Sequence, residues 1–457
     1  MSEISKRLDR LKELADDRVF PDVKARRAVL RCFRAALISH RDAIIEALQS
    51  DLNKCPFETL SGELLGVLGI LGFLEKKLPK LAAPRRRKVS PINFPASGCL
   101  LPEPYGAVLV VSTWNYPLSL ALEPLLGAYA AGNRVVVKLP VRARRTTALL
   151  RWLIEKTFPL DEVVVVSDEM HLKELLERPF DYIFLTGSAT AGKLALRAAA
   201  EHFTPVTLEL GGKSPCIVDH TADLKRAALK IAWGKFSNAG QTCVAPDYLL
   251  VEESVCGELV RQLGIAIRQM YGENPLKSPD YGSIIDASGY ERLSKMLSHG
   301  RLLYGGEKDP ASLRIAPTVI DQLDAADPLL KEEIFGPLLP VITFENEEEL
   351  VARLPKLPKP LALYYFGNDK RKMKFLREST SSGALVFNDV VTHFLNFHLP
   401  FGGVGASGMG CYHGRQTFET FTHLKPVMKQ SRFWDFSFRY PPYGKLRMKL
   451  MKFLTKF

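Results

Sequence analysis

Two side chains of chemical interest stand 34 residues apart in the stretch 205–251. Glu209 lies in Val206-Thr-Leu-Glu-Leu210, which reads as a short strand ended by Gly211-Gly212. Cys243 closes Ser237-Asn-Ala-Gly-Gln-Thr-Cys243, a run of turn residues that puts the thiol at a loop tip or helix start. A thiolate is a nucleophile, and a partly desolvated carboxylate takes up a proton near neutral pH. Together they supply a covalent catalyst and its base. The plainer alternatives are that a lone cysteine is a small buried hydrophobe and that Glu209 pairs with Lys213. The polar Gly-Gln-Thr surroundings of Cys243 favour reactivity; the other six cysteines keep the packing role.

Such groups need rigid elements to hold them. A second strand is predicted at 215–219, and Leu224, Ala227, Ala228 and Ile231 then recur at helical spacing. Upstream, strands at 107–112, 134–138, 162–166 and 182–185 alternate with helices at 117–131, 146–157 and 171–176. That alternation specifies a parallel, doubly wound α/β sheet, whose ligands sit beyond the carboxyl ends of the strands. Two of those ends are distinctive. One reads Ser112-Thr-Trp-Asn-Tyr-Pro117, where Asn115 is a candidate polar contact or an Asx-turn residue. The other reads Thr186-Gly-Ser-Ala-Thr-Ala-Gly192 before a helical run at 193–201, a turn whose N–H groups can meet phosphate oxygens; many such glycines only make turns.

Residues 3–80 carry helical spacing, and 82–103, rich in proline and basic residues, reads as an arm leaving the core. After 251 a second α/β unit has helices at 256–270, 288–297, 347–354 and 370–378, with strands near 302–304, 317–319, 339–344, 362–366 and 384–387. A loop with too many glycines for a regular element follows at 399–410. There is no internal repeat or low-complexity tract.

A chain of 457 residues is too long for one core. Its hydrophobic (46%) and charged (25%) fractions are those of a globular protein. The net charge of +12 gathers at Arg85-Arg-Arg-Lys88, at 142–145 and in the last dozen residues, without the aromatic interleaving that stacks bases; solvated faces, not nucleic-acid binding, are expected. Seven cysteines without a C-x-x-C pair indicate a reducing compartment, and the charged N-terminal segment lacks the apolar core of a signal peptide, so cytoplasmic residence is expected. No apolar run approaches the ~18 to 20 residues of a membrane span. In 445–457, Leu446, Leu450, Phe453, Leu454 and Phe457 share one helical face, and Arg447, Lys449, Lys452 and Lys456 lie largely elsewhere. This is the pattern of an interfacial helix touching a membrane surface, or of a helix docked on its own subunit or a partner.

The motifs Leu208-Glu-Leu-Gly-Gly-Lys213, Asn238-Ala-Gly-Gln-Thr-Cys243, Trp114-Asn115, Glu333-Ile-Phe-Gly-Pro337 and Leu399-Pro-Phe-Gly-Gly403 together resemble the aldehyde dehydrogenase superfamily over nearly the whole chain. Gly408-Met-Gly-Cys-Tyr-His-Gly414, Phe418-Glu-Thr-Phe-Thr-His423 and Arg439-Tyr-Pro-Pro442 look most like its class 3 and fatty aldehyde branch. The resemblance implies a Rossmann-like cofactor domain (1–81 and 104–208), a second α/β catalytic domain (209–398), a small β oligomerisation arm (82–103 and 424–430), an active-site loop (399–423) and a basic amphipathic tail (436–457). It implies a homodimer built through the arm.

The implied chemistry is oxidation of an aldehyde to a carboxylic acid. Cys243 adds to the carbonyl, and the Asn115 amide with the Cys243 N–H stabilises the oxyanion. After oxidation to a thioester, Glu209 activates the hydrolytic water. The resemblance sets Lys138 on the adenosine ribose, Thr113, Trp114, Gly187 and Ser188 along the dinucleotide, and Glu333 with Phe335 on the nicotinamide end. Tyr116, Phe401 and His413, with Trp233 and Phe394, are expected to line an apolar tunnel for medium-chain aliphatic or aromatic aldehydes; no metal spacing occurs. One departure bears on the cofactor. The family usually carries a carboxylate three residues after the lysine, where this chain has Val141 followed by Arg142, Arg144 and Arg145. Loss of that charge, with arginines nearby, predicts that NADP is accepted alongside NAD. Transfer of the thioester to coenzyme A is disfavoured by Glu209, and a catalytically silent binding protein by the joint presence of Cys243, Asn115, Glu209 and Glu333.

Overall fold

Runs of β-branched residues build the first sheet. In the computed structural model, which describes residues 3–324, 326–354, 358–435 and 437–455, Ala107–Val111, Arg134–Lys138 and Val163–Val166 are buried along their whole length. Strands covered on both faces require such continuous apolar runs. The parallel order is Val206–Leu210, Tyr182–Gly187, Ala107–Val111, Arg134–Lys138, Val163–Val166, and the short Gly408–Met409 adds antiparallel beside Val206–Leu210. The two-residue pleat sorts the side chains. Val108, Val110, Val135 and Val137 join the core under the N-terminal helices, whereas Ala107, Leu109, Val111 and Val136 face the helices Glu3–Asp16 and Ala189–His202. The chain winds outward both ways from Ala107–Val111, so the ends of this strand and of Tyr182–Gly187 flank a topological switch point.

The helices Val23–Ser39, Arg41–Leu52 and Leu65–Leu81 cover one face, with Ser119–Ala131 buried at every residue. Here one sequence expectation is corrected: the continuous helical stretch Pro56–Leu81 is long and apolar enough to cross a membrane by length and composition. Its apolarity has another use. Val67, Ile70, Leu71, Leu74 and Leu78 recur on one face and are buried in the same core as Ser119–Ala131. A π-turn, Leu60–Leu64, interrupts it.

The second sheet runs Arg301–Tyr304, Thr318–Asp321, Leu338–Phe344, Tyr248–Glu252, Pro215–Val218, Ala362–Phe366, Ala384–Phe387, parallel except for its first pair. The 82–103 excursion contributes Arg85–Arg87 and Ser97–Pro104 to a separate antiparallel sheet with Thr422–Lys429. The tail helix Lys445–Leu454 buries no residue; Lys456 and Phe457, placed on its two faces by the sequence pattern, lie outside the described residues.

Candidate active site

Asn115 occupies the turn between the central strand Ala107–Val111 and the helix Ser119–Ala131. It is buried, and its Nδ2 crosses to the Cys243 loop, donating to the Gln241 carbonyl at 2.9 Å rather than closing an Asx turn. Its own carbonyl accepts Asn238 Nδ2 at 2.9 Å and Lys54 Nζ at 3.2 Å. The Cys243 loop begins in a left-handed turn, with φ of 51° at Asn238 and 52° at Ala239. That conformation costs about 1–2 kcal/mol per non-glycine residue. Gln241 holds it: its Nε2 donates to the carbonyls of Asn238 (3.0 Å) and Ser283 (2.9 Å), and its Oε1 accepts the Ile285 N–H at 3.0 Å. Gln241 and Asn238 are thus the brackets of the loop, a role that turn propensity alone did not reveal.

Glu209 points inward from Val206–Leu210, and neither carboxylate oxygen has a hydrogen-bond partner among the described residues. Burial, with Glu123 as a nearby second negative charge, pushes its carboxyl well above the usual range. Lys213 is not its partner. That ammonium pairs with Asp247 and donates to the carbonyls of Leu329 (2.7 Å) and Glu332 (2.9 Å), while Asp247 accepts the Ile334 N–H at 3.0 Å. This clamp fixes the backbone on both sides of Glu333. The Glu333 carboxylate lies so close to Gly211 that a Cβ there would come within 1.9 Å of Oε2, which is why this position has no side chain. Burial and Asp247 push Glu333 up to about 8, and burial pulls the Lys235 ammonium down to about 8. Burial, then Glu333 and Glu209, push the Cys243 thiol up to about 12, so the sulfur is protonated at neutral pH in this state.

Two cavities meet at that sulfur. The first, about 730 Å³, lies at the switch point and is lined by Thr113, Trp114, Asn115, Thr186, Gly187, Ser188, Glu209, Cys243, Glu333 and Phe335, with Leu120, Phe401 and Tyr412 among its apolar walls. Ser188 caps the helix Ala189–His202, accepting the Ala191 N–H at 3.3 Å, so this helix starts four residues before the predicted 193. Thr186 Oγ1 and Glu333 Oε1 are buried there without partners among the described residues. A helix N-terminus beside unpaired polar atoms fits the phosphates and ribose hydroxyls of a dinucleotide. Trp114 packs edge-on to Phe335 at 5.4 Å, and its other neighbour is Arg142, 4.5 Å over the ring and paired with Asp286 at 2.5 Å. Lys138 ends its strand buried, outside the lining; desolvation lowers its ammonium against the pull of Glu169 and Asp168.

The second cavity, about 1130 Å³, is walled by Phe57, Glu58, Tyr116, Leu120, Trp233, Thr242, Cys243, Val391, Phe394, Leu395 and Phe401. Tyr116, Trp233, Phe394 and Phe401 therefore stand where an apolar tunnel was expected. His413 does not. Its ring is buried between Phe394 and Phe397, at centroid separations of 5.1 and 4.9 Å, with Nδ1 2.8 Å from Glu123 Oε1. Glu58 was missed by sequence reasoning, because nothing around it in a helical segment marks it as a wall residue.

Comparison with known proteins identifies the family. The profile described as "Aldehyde dehydrogenase family" matches residues 20–427. The chain is 39% identical over 427 residues to mouse (Mus musculus) "Aldehyde dehydrogenase family 3 member A2", covering 93% of this chain and 88% of the relative. It is 40% identical over 446 residues to the dog (Canis lupus familiaris) "Aldehyde dehydrogenase, dimeric NADP-preferring", covering 97% and 98%. A solved structure of the substrate-bound state of Staphylococcus aureus AldH superposes with a TM-score of 0.96 at 38% identity over 100% of both chains. On this match along nearly its entire length, the chain belongs to the aldehyde dehydrogenase family, oxidoreductases that use NAD(P) to convert aldehydes to acids.

Proposed function

We propose that this chain oxidises medium-chain aliphatic or aromatic aldehydes with Cys243 as nucleophile, Asn115 as oxyanion donor and Glu209 as hydrolytic base. The observation that carries the assignment is that Cys243, Leu120 and Phe401 line both cavities, and of these three only the cysteine is a nucleophile. Substrate reaches the sulfur through the apolar cavity walled by Tyr116 and Phe401. The thiol passes its proton to solvent water in the open cavity as sulfur attacks the carbonyl carbon, and the free N–H of the Asn115 amide, with the Cys243 N–H, meets the oxygen of the thiohemiacetal. The dinucleotide, when bound, supplies the hydride acceptor. Glu209, buried without a partner, then takes the proton of the water that hydrolyses the thioester. The dinucleotide is held by Thr113, Trp114, Gly187, Ser188, Glu333 and Phe335, with Lys138 at the adenosine end. An assay of reduced-cofactor formation over short, medium and long alkanals and aromatic aldehydes tests the reading, and activity that survives Cys243→Ser overturns it.

NADP is used alongside NAD. Val141 leaves no carboxylate beside Lys138, and although Arg142 is committed to Asp286, Arg144 and Arg145 remain exposed on the first turn of the helix Arg144–Thr157. The dog relative is named NADP-preferring. That relative is also named dimeric, and the strand Thr422–Lys429 leaves Val427 and Met428 exposed, an apolar edge suited to a second copy of this chain; a monomer mass by light scattering rejects this. The enzyme resides in the cytoplasm, where its seven cysteines, all free, stay reduced. Its tail helix touches membrane surfaces: Leu446, Leu450 and Leu454 are exposed along one face, and this exposed apolar face supports the reading.

A further inference from the structure

We propose that the buried ion pair Lys54–Glu63 is a positioning device for the Asn115 oxyanion donor. Both side chains are fully enclosed, and Nζ stands 2.5 Å from Glu63 Oε1. The same ammonium donates to the Asn115 carbonyl at 3.2 Å and lies 4.1 Å over the Tyr116 ring. The second Glu63 oxygen accepts the N–H groups of Leu118 (2.9 Å) and Ser119 (3.3 Å), the free donors at the start of the helix Ser119–Ala131. One ion pair therefore grips the Asn115-Tyr116-Pro117-Leu118 turn at both ends.

The elements delivering the pair point the same way. Lys54 follows the helix Arg41–Leu52, and Glu63 sits in the π-turn Leu60–Leu64. A π-turn inside an otherwise regular helix is frequent at functional sites. A buried ion pair adds little net stability over an apolar pair of similar volume, because desolvation offsets the attraction. Its distinctive contribution is direction: an ammonium with three donors fixes one carbonyl, one carboxylate and one ring face at once. Among the described residues the Asn115 side chain has a single bond of its own, from Nδ2 to Gln241, and its Oδ1 is without a partner, so its backbone anchor decides where the second amide N–H points.

The inference rests on the proposed role of Asn115, and a double-mutant cycle separates the two. The charge-neutral pair K54M/E63Q keeps an acceptor for the Leu118 and Ser119 N–H groups and leaves neither member of the ion pair without its partner, while the Glu58 carboxyl loses the nearby cation that holds it down against burial. We expect circular dichroism, NAD(P) affinity and the aldehyde KM to stay near wild type while kcat falls by about tenfold to a hundredfold, the scale of a displaced oxyanion donor. In an Asn115→Ala background the same pair should lower kcat no further. Equal fold-losses in both backgrounds overturn the proposal, as does an unchanged kcat in K54M/E63Q when Asn115→Ala alone is slow. If Asn115→Ala itself leaves kcat intact, the oxyanion assignment has failed instead, and this proposal falls with it. K54Q/E63Q carries the same expectation should the first pair not fold, and failure of both to fold overturns the proposal by making the ion pair a requirement of folding.

Discussion

Replacing Glu209 with glutamine isolates the hydrolytic half of the reaction. The side chain makes no hydrogen bond among the described residues, so the isosteric amide loses none and the fold stays intact. What disappears is the proton acceptor, and a positioned general base is worth about 10²–10⁴ in rate, or roughly 3–5 kcal/mol at 1.36 kcal/mol per decade. A stopped-flow experiment on Glu209→Gln should therefore show a burst of reduced cofactor near one equivalent per active site, followed by turnover slowed by about that factor. Wild-type kcat should climb with pH beyond the ordinary carboxylate range, because burial and Glu123 push the Glu209 carboxyl well above it; the variant should lack that limb. Stability supplies an independent check of sign. A carboxyl raised by folding favours the folded state below its unfolded value of 4.5 and withdraws that support as pH rises toward the folded value. The melting temperature of Glu209→Gln should thus exceed wild type by a margin that grows between acidic and neutral pH. Loss of the burst together with turnover, or turnover at the wild-type rate, refutes the assignment.

Catalytic efficiencies with NAD and NADP should be comparable, and a preference for NAD above about a hundredfold, beyond what one missing charge pair explains, rejects the reading of Val141 and its arginines. Truncation after Gly444 should abolish co-sedimentation with anionic vesicles, since Lys445, Arg447, Lys449 and Lys452 each add about 1 kcal/mol near such a surface; equal binding by the truncated chain rejects a membrane role. Lys235→Met should stabilise the fold at pH 7, because lowering that ammonium from 10.5 to about 8 corresponds to a penalty of about 3 kcal/mol. The wild type recovers this as pH rises from about 8 toward 10.5, so a melting-temperature gain that fails to shrink over that range contradicts the buried-charge account.

What the sequence makes legible is what local patterns encode. The fully buried strand Ala362–Phe366 and the half-buried Ala384–Phe387 are continuous apolar runs with sharp ends, and they fall at their predicted positions. The candidate pair is legible because Cys243 lies in a polar turn and Glu209 sits near the end of a strand before two glycines. Partners chosen by tertiary packing leave no such trace. Lys213 sits four residues after Glu209 yet pairs with Asp247, because the strand end at Leu210 turns its ammonium toward the carbonyls of Leu329 and Glu332. His413 reads as a tunnel residue by its motif, but the Phe394 and Phe397 rings and Glu123 draw it into the protein. Lys54 and Glu63 lie in an N-terminal helical layer that periodicity describes only as packing, and their meaning appears once that layer is folded onto the turn after Ala107–Val111.

The meeting of two cavities at one sulfur has a consequence for molecular traffic. The cavity walled by Tyr116 opens beside the exposed Phe57 and Leu395, whereas the one at the switch point reaches solvent at the exposed Ser188. Each reactant thus has its own doorway, and Cys243 is the party wall between two rooms. An occluding compound lodged in either room leaves the other open, so blockers of the two sides bind together rather than in competition.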